Sequence, residues 1–352
     1  MENDGAFFWG GFREGRFCGF MQDWYTADSR VILLKGGAGT GKSTLMRRVC
    51  ERWQKQGRQV FSFRCASDPA SLDAVCTADR RLCIMDATAP HAVEARFPAA
   101  VERIVDLGAA LDGDKLRAQL PILSRCHAEQ QAFRLRAAHY LRAAAVLAER
   151  EQLYMDERVP QHRLQRCADR LVRGLFDGEK TNGADVCAYL TGVTPDGTIA
   201  LYDTMTALCP RIFVLEGDAP AATKLLALLR QRAATAGVLT ISCPCALRPH
   251  CIEHLLIPQL DTAFTVSTPH HGVDFPVYRR VAMERYLTKP FTAADKRRRR
   301  LLQQTQTDLL EEAMALLASA RDCHRREEQI YGEAMCWEQA NAMLEKAWER
   351  LQ

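Results

Sequence analysis

No stretch of this chain approaches the ~20 consecutive apolar residues that a membrane-spanning helix requires. Nor is there a charge surplus of one sign. The formal net charge of +4 is too small to attract a polyanion by itself, so nucleic acid is not an expected partner. The opening residues, MENDGAFFWGG, carry acids where a secretory leader carries bases, which leads to the expectation of a cytoplasmic protein. Fourteen cysteines are present, but without the framework spacing of a small secreted domain. Most are expected to be small buried apolar residues.

What is present suits a folded chain of two ordinary domains: 352 residues, 47% hydrophobic and 26% charged. It is also self-similar. Arg30–Gly36 (RVILLKG) lies over Arg211–Gly217 (RIFVLEG), and the same offset of 181 places Phe8–Phe12 over Tyr189–Val193. Downstream the register slips by one residue, so that Leu72-Asp73 meets Ile252-Glu253 and Asp86–His91 meets Val266–His271. Duplication accounts for apolar runs and turns recurring in one order.

Each copy starts with two short apolar stretches around a turn, Ala6–Trp9 and Phe17–Phe20, then Ala188–Leu190 and Thr198–Leu201, and reads as a β-hairpin. A continuous apolar run follows, Val31–Leu34 or Ile212–Leu215, as in a strand buried on both faces. Next come a helix (43–56; 223–236), a second strand (59–64; 238–242) and a third (82–86; 263–267). Alternation of this kind predicts an α/β fold with a parallel sheet in each copy. Residues 98–176 and 277–352 carry helical periodicity and predict long, coiled-coil-like arms, with Leu135, His139, Leu141 and Val146 near one face and Pro121 and Pro160 at turns or kinks. A polar, turn-rich linker at Asp177–Gly183 divides domain 1–180 from domain 181–352.

Gly36–Ser43 (GGAGTGKS) satisfies G-x-x-x-x-G-K-[ST] between a predicted strand and a predicted helix. Glycines let a main chain curl closely enough to aim several N–H donors at one polyphosphate, and the helix N-terminus adds its positive dipole end. The expected nucleotide-binding set is Gly36, Gly37, Ala38, Gly39, Thr40, Gly41, Lys42, Ser43 and Thr44. Lys42 is expected to bridge the outer phosphates, and Ser43 to ligate Mg²⁺. Leu82–Asp86 (LCIMD) has the Walker B pattern, which makes Asp86 the second magnesium residue. Ala87 stands where vigorous ATPases carry a glutamate, so hydrolysis is expected to be slow or partner-dependent. Asp68 and Glu94 are candidates for polarising the attacking water and His91 for orienting it, with turn capping the favoured role for Asp68.

In copy two Ala222, Thr223 and Val266 replace Gly41, Lys42 and Asp86, and Pro220 replaces Gly39. That combination predicts a site without Mg-triphosphate. Cys243, Cys245, His250, Cys251 and His254 have the residue types of a zinc site but no common ligand spacing, and buried thiols are the expectation. Lys296–Arg300 (KRRRR) opens a helical stretch without interleaved aromatics and reads as a solvated face.

Leu34–Thr44, Cys65–Asp73 and Met85–His91, with Ile252–Pro258 in copy two, resemble an uncharacterised group of bacterial tandem P-loop ATPase-like proteins. The resemblance covers most of the chain and implies two tandem P-loop NTPase-like domains and an ATP-binding protein; it implies no substrate. The expectation is therefore an ATPase with ATP and Mg²⁺ at one site, coupling binding or slow hydrolysis to movement of the arms, which also offer a docking surface for a protein partner. No guanine-reading Asn-Lys-x-Asp string occurs. Two alternatives stand beside it: a small-molecule kinase with lid arginines from 134–173, and a nucleotide-gated binding module with little turnover.

Overall fold

The computed structural model describes residues 4–13, 16–89, 92–156, 158–176, 183–217, 219–349 and 351. In chain order its elements are β1 (Gly5–Phe8), β2 (Gly10–Arg13), β3 (Arg16–Gly19), β4 (Arg30–Lys35), α1 (Lys42–Lys55), β5 (Val60–Arg64), β6 (Leu72–Thr77), β7 (Leu82–Asp86), β8 (Glu102–Asp106) and α2 (Gly113–Asp156). There follow α3 (Gln161–Leu171), β9 (Asp185–Cys187), β10 (Thr191–Thr194), β11 (Gly197–Ala200), α4 (Tyr202–Leu208), β12 (Arg211–Glu216), α5 (Ala219–Ala236) and β13 (Thr240–Pro244). The chain ends with β14 (Ile252–Ile257), β15 (Thr262–Val266), β16 (Arg279–Ala282), α6 (Ala293–Glu333) and α7 (Trp337–Trp348). Among the described residues no helix is long and apolar enough to cross a membrane.

Two compact units emerge. Met1–Ala138, Thr194–Asp196 and Met314–Gln352 form unit 1, and His139–Val193 with Gly197–Ala313 forms unit 2. The units do not follow a single division at 180, because α2 and α6 each contribute residues to both. Asp177 to Asn182, most of the expected linker, lies outside the described residues.

Unit 1 is built on a six-stranded sheet in the order β1-β5-β6-β7-β4-β8. β1 and β5 pair parallel, as do β7, β4 and β8, while β6 runs antiparallel to both its neighbours. The expected all-parallel sheet is thus a mixed one. β6 was not legible because Asp73 interrupts its apolar pattern. Its reversal follows from short connections: the chain turns straight back after β5, and again after β6 through Arg80, whose φ of 60° is left-handed. On one face α1 lays down Leu45, Met46, Val49 and Trp53, and Trp348 of α7 lies 6.4 Å from the Trp53 ring. Elsewhere in the unit Phe7, Trp9, Trp24, Phe61 and Phe63 form an aromatic cluster with Trp24 and Trp9 each 4.8 Å from Phe63. Burying each such side chain is worth about 1.5–3 kcal/mol, and the α1 layer clusters with Ile32 and Leu34 of β4 and Leu82 and Ile84 of β7.

Unit 2 repeats the order, β9-β13-β14-β15-β12-β16, with β14 as the reversed strand. Leu225, Leu226, Leu229 and Ala233 of α5 pack with Phe213, Leu215, Leu255 and Phe264 of the sheet and with Leu164 and Cys167 of α3.

The start of each copy also differs from the expected hairpin. In copy one the first apolar stretch forms β1 and joins the large sheet; in copy two the strand that does so, β9, ends before the expected stretch Ala188–Leu190, and the hairpins are β2–β3 and β10–β11. Residues 98–112 and 277–292, expected to be helical, instead hold the edge strands β8 and β16 and short 3₁₀ turns. Pro160 precedes α3, but Pro121 sits inside α2. The expected apolar face of α2 is reversed as well. Leu135 (51%) and Val146 (55%) are exposed, whereas Ala137, Ala144 and Ala148 are buried.

Candidate functional site

The site grows from two neighbouring strands of unit 1. β4 and β7 pair in register with Leu34 opposite Asp86, and Ala87 N–H donates to the Leu34 carbonyl. Both strands therefore end side by side, and the loop Gly36–Gly41 begins at that edge. Gly39 (φ 69°) and Gly41 (φ 83°) occupy left-handed backbone that side chains other than glycine's adopt only with strain. Gly41 is the N-cap of α1, which has no side-chain cap and no acid in its first turn. Among the described residues no main-chain N–H from Gly37 to Thr44 donates a hydrogen bond to another residue. These are the orphan donors of a helix start, together with those of the loop before it.

Five side chains are gathered at this loop. The Lys42 ammonium donates to the carbonyls of Gly36 (2.8 Å) and Gly37 (2.7 Å) and stands 3.6 Å from Asp86 Oδ2. Asp86 Oδ1 accepts the Thr88 N–H at 2.7 Å, so the carboxylate caps its own turn while facing the lysine. Thr88 Oγ1 donates to the Gly36 carbonyl, and buried Thr40 donates to that of Gly37, both at 2.9 Å. Ser43 Oγ accepts the Leu72 N–H at 3.0 Å, which places its hydroxyl at the start of β6. Lys42 and Asp86 are only 11% and 15% exposed at the side chain, and a charge pair in that setting is poorly screened.

The candidate water-orienting residues separate. Asp68 is held in the β5–β6 connection, where its carboxylate accepts Ser71 Oγ at 2.8 Å and its carbonyl accepts the Ser71 N–H, a turn-capping arrangement. Glu94 pairs with Lys35 at 2.7 Å. His91 lies outside the described residues. At the start of the same connection, burial and Asp73 push the Cys65 thiol well above its ordinary pKa. Burial also lowers the pKa of Arg134, whose neighbours are Cys65 and Glu327.

No local sequence pattern signals the loop's outer neighbours. The end of α6 and the start of α7 lie against it in unit 1. A Cβ added at Gly39 would meet the Glu328 carbonyl oxygen at 2.2 Å, one at Gly37 would meet the Tyr331 ring at 3.0 Å, and one at Gly41 the Trp337 ring at 3.0 Å. Three glycines of the loop thus allow close approach of backbone and rings from residues some 290 positions away. Thr88, by contrast, was present in the Asp86–Thr88 string and needed only the register of β7 beside β4.

In unit 2 the corresponding segment is not a loop. α5 begins at Ala219, four positions earlier relative to its strand than α1, and Thr223 Oγ1 donates to the Ala219 carbonyl inside the helix. Cys243, Cys245 and Cys251 are buried, and the described residues hold no group of three or more His, Cys, Asp or Glu arranged for a metal ion. Buried His254 bridges two hydroxyls, Thr191 (2.9 Å) and Thr265 (2.7 Å).

Residues 19–117 match the family model described as Nephrocystin 3, N-terminal. The likeness spans the Gly36–Gly41 loop, β7 and the edge strand β8, under a third of the chain. No curated protein and no solved structure matches the chain.

Proposed function

We propose that this chain binds ATP with magnesium at Gly36–Thr44 and couples binding, or slow hydrolysis, to movement of its C-terminal helices. The observation that carries the reading is the row of unbonded main-chain donors from Gly37 to Thr44, with Lys42, Ser43 and Asp86 around it. Donors converging from one side suit a polyphosphate and little else of comparable charge. A hydroxyl and a carboxylate at the ends of neighbouring elements suit a hard cation that prefers oxygen ligands. Magnesium, when bound, would neutralise charge on the outer phosphates.

In this reading Lys42 would hold phosphate oxygens in place of the Gly36 and Gly37 carbonyls, and the Ser43 hydroxyl and Asp86 would hold the cation. Thr40 and Thr88 hold the loop carbonyls outward, so that its N–H groups stay turned toward the phosphates. Ala87 supplies no general base and Asp68 is engaged with Ser71, which supports slow turnover. Movement of the loop is felt at Glu328, Tyr331 and Trp337, because there is no space between them and the glycines. The common strand order of the two sheets, each with one reversed strand in the same place, supports descent from a duplicated P-loop unit whose second copy lost its phosphate site. A protein partner would then read the helical arms.

Equilibrium binding of Mg-ATP to the wild type and to Lys42→Ala tests the proposal. Loss of at least ~100-fold in affinity in a folded Lys42→Ala protein is expected. Equal binding by the two would refute it.

A further inference from the structure

The net charge of +4 conceals a segregation. Residues 158–173 and 279–300, all within unit 2, hold fourteen of the chain's 47 Lys and Arg but only three of its 43 Asp and Glu. The rest of the chain is acidic on balance. Asymmetry of this kind points to a polyanionic partner where net charge alone does not.

The fold joins the two segments into one surface. Arg166 and Arg170 stand one turn apart on α3, and both are exposed. Arg170 donates to the Tyr286 hydroxyl at 3.4 Å and Arg163 to the Leu287 carbonyl at 2.9 Å, so α3 abuts the turn that follows β16. Further along, the Thr288 N–H donates to the Arg158 carbonyl at 2.9 Å. The Tyr154 ring centre lies 4.5 Å from the Arg158 guanidinium and 5.7 Å from that of Arg298, at the start of α6. The tract Lys296–Arg300, which by itself reads as a solvated face, is thus one end of a basic patch whose other end is α3.

Little within the patch neutralises it. Asp295 is buried and paired with Arg158 at 3.0 Å, and Asp169 is paired with Arg232 at 2.7 Å. Glu284, exposed, is the third acid. Arg280 meets Glu216, and Arg299 meets Glu151 at 3.0 Å. Among the described residues Arg166, Arg170, Arg285, Lys289, Arg297 and Arg300 form no ion pair, and all six are exposed. Like charges gathered this way repel one another, and a polyanion laid across them relieves that repulsion.

Twelve of the fourteen cations are arginines, whose planar forks match phosphate oxygens. A single strand calls for open rings on which successive bases stack. Here Tyr154, Tyr286 and Phe291 are half-buried and already hold guanidinium groups, and exposed Tyr278 is one ring alone. A lipid surface calls for an apolar stripe, whereas exposed Leu153 and Leu301 stand on separate helices. We propose that this patch of unit 2 binds duplex DNA by its phosphate backbone, without sequence preference.

The test is fluorescence anisotropy of the full chain with labelled 30-bp DNA duplexes of two unrelated sequences, in a salt series from about 50 to 200 mM. Both duplexes bind with affinities within about threefold of each other. With six cations engaged, affinity falls roughly 10³-fold across the series, a log–log slope of about −5. Arg297→Gln/Arg300→Gln and Arg166→Gln/Arg170→Gln each make that slope shallower by roughly two. Lys42→Ala binds duplex as the wild type does, which separates this surface from the nucleotide site. No duplex binding by folded wild-type protein at 50 mM salt, or a slope unchanged in both double variants, would overturn the proposal. So would tighter binding of a single strand than of its duplex, or capture by phosphatidylserine vesicles without duplex binding.

Discussion

Lys42 is the residue on which the proposed chemistry turns, yet in this structure it is satisfied by two loop carbonyls and faced by Asp86. Asp86→Asn removes the carboxylate proposed to hold magnesium and keeps its acceptor for the Thr88 N–H. It is expected to lower the magnesium dependence of nucleotide binding, measured by titration with and without Mg²⁺, and to lower stability as well, because Lys42 loses the charge that faces it. Gly39 is stricter. Alanine there has to adopt a φ of 69° and meets the Glu328 carbonyl, so Gly39→Ala is expected to cost about 2–3 kcal/mol in urea unfolding. His254 sets a pH dependence in unit 2. Burial lowers its pKa to about 3 from an ordinary 6.5, so between those values the unfolded chain takes up a proton that the folded chain does not. Stability therefore falls as pH drops below about 6.5, by up to roughly 1.4 kcal/mol per pH unit. Glu253, buried but paired with His271 and lowered to about 2, contributes stability that is present above its ordinary pKa of 4.5 and lost as pH falls toward 2. Unfolding curves for His254→Gln are expected to have a shallower slope between pH 6.5 and 4.5, the remainder coming from His270, which burial also lowers; an unchanged slope would contradict this.

At the scale of elements, the proposed function couples the Gly36–Gly41 loop to the end of α6 and the start of α7. Hydrogen exchange across residues 326–340 is expected to change on addition of Mg-ATP, because Glu328, Tyr331 and Trp337 leave no room for even one added carbon at the loop glycines. Trp337→Ala is expected to remove that response while keeping nucleotide affinity within about tenfold. Unaltered exchange with ATP bound would show that loop and helix are uncoupled. β4, β7, β5 and α1 were legible because their apolar runs are long or regularly spaced, and the glycine string between β4 and α1 named the candidate site. β6 and β14 were not, since Asp73 and Glu253-His254 break their patterns even though those side chains are buried. The edges β8 and β16 are rich in charge, which hid them inside regions that otherwise read as helix. On α2 the large apolar residues misled, because alanines form its buried face. The neighbours of the loop on α6 could not be foreseen at all, since no local pattern encodes a contact across nearly the whole chain.

For the molecule as a whole, the account holds that two sheets of one design now do different work: one keeps a phosphate loop, and the other has a helix running through the place where that loop would be. Adding Thr223→Lys to a Lys42→Ala protein is therefore expected not to restore nucleotide binding, because a lysine within α5 has no loop to serve. The most direct test is calorimetric titration of the wild-type chain with ATP in the presence of Mg²⁺, repeated on Lys42→Ala. A single equivalent of nucleotide per chain, lost in the variant, is the predicted result. Two equivalents, or no uptake by folded wild-type protein, would contradict the claim that one half of this chain alone grips a polyphosphate.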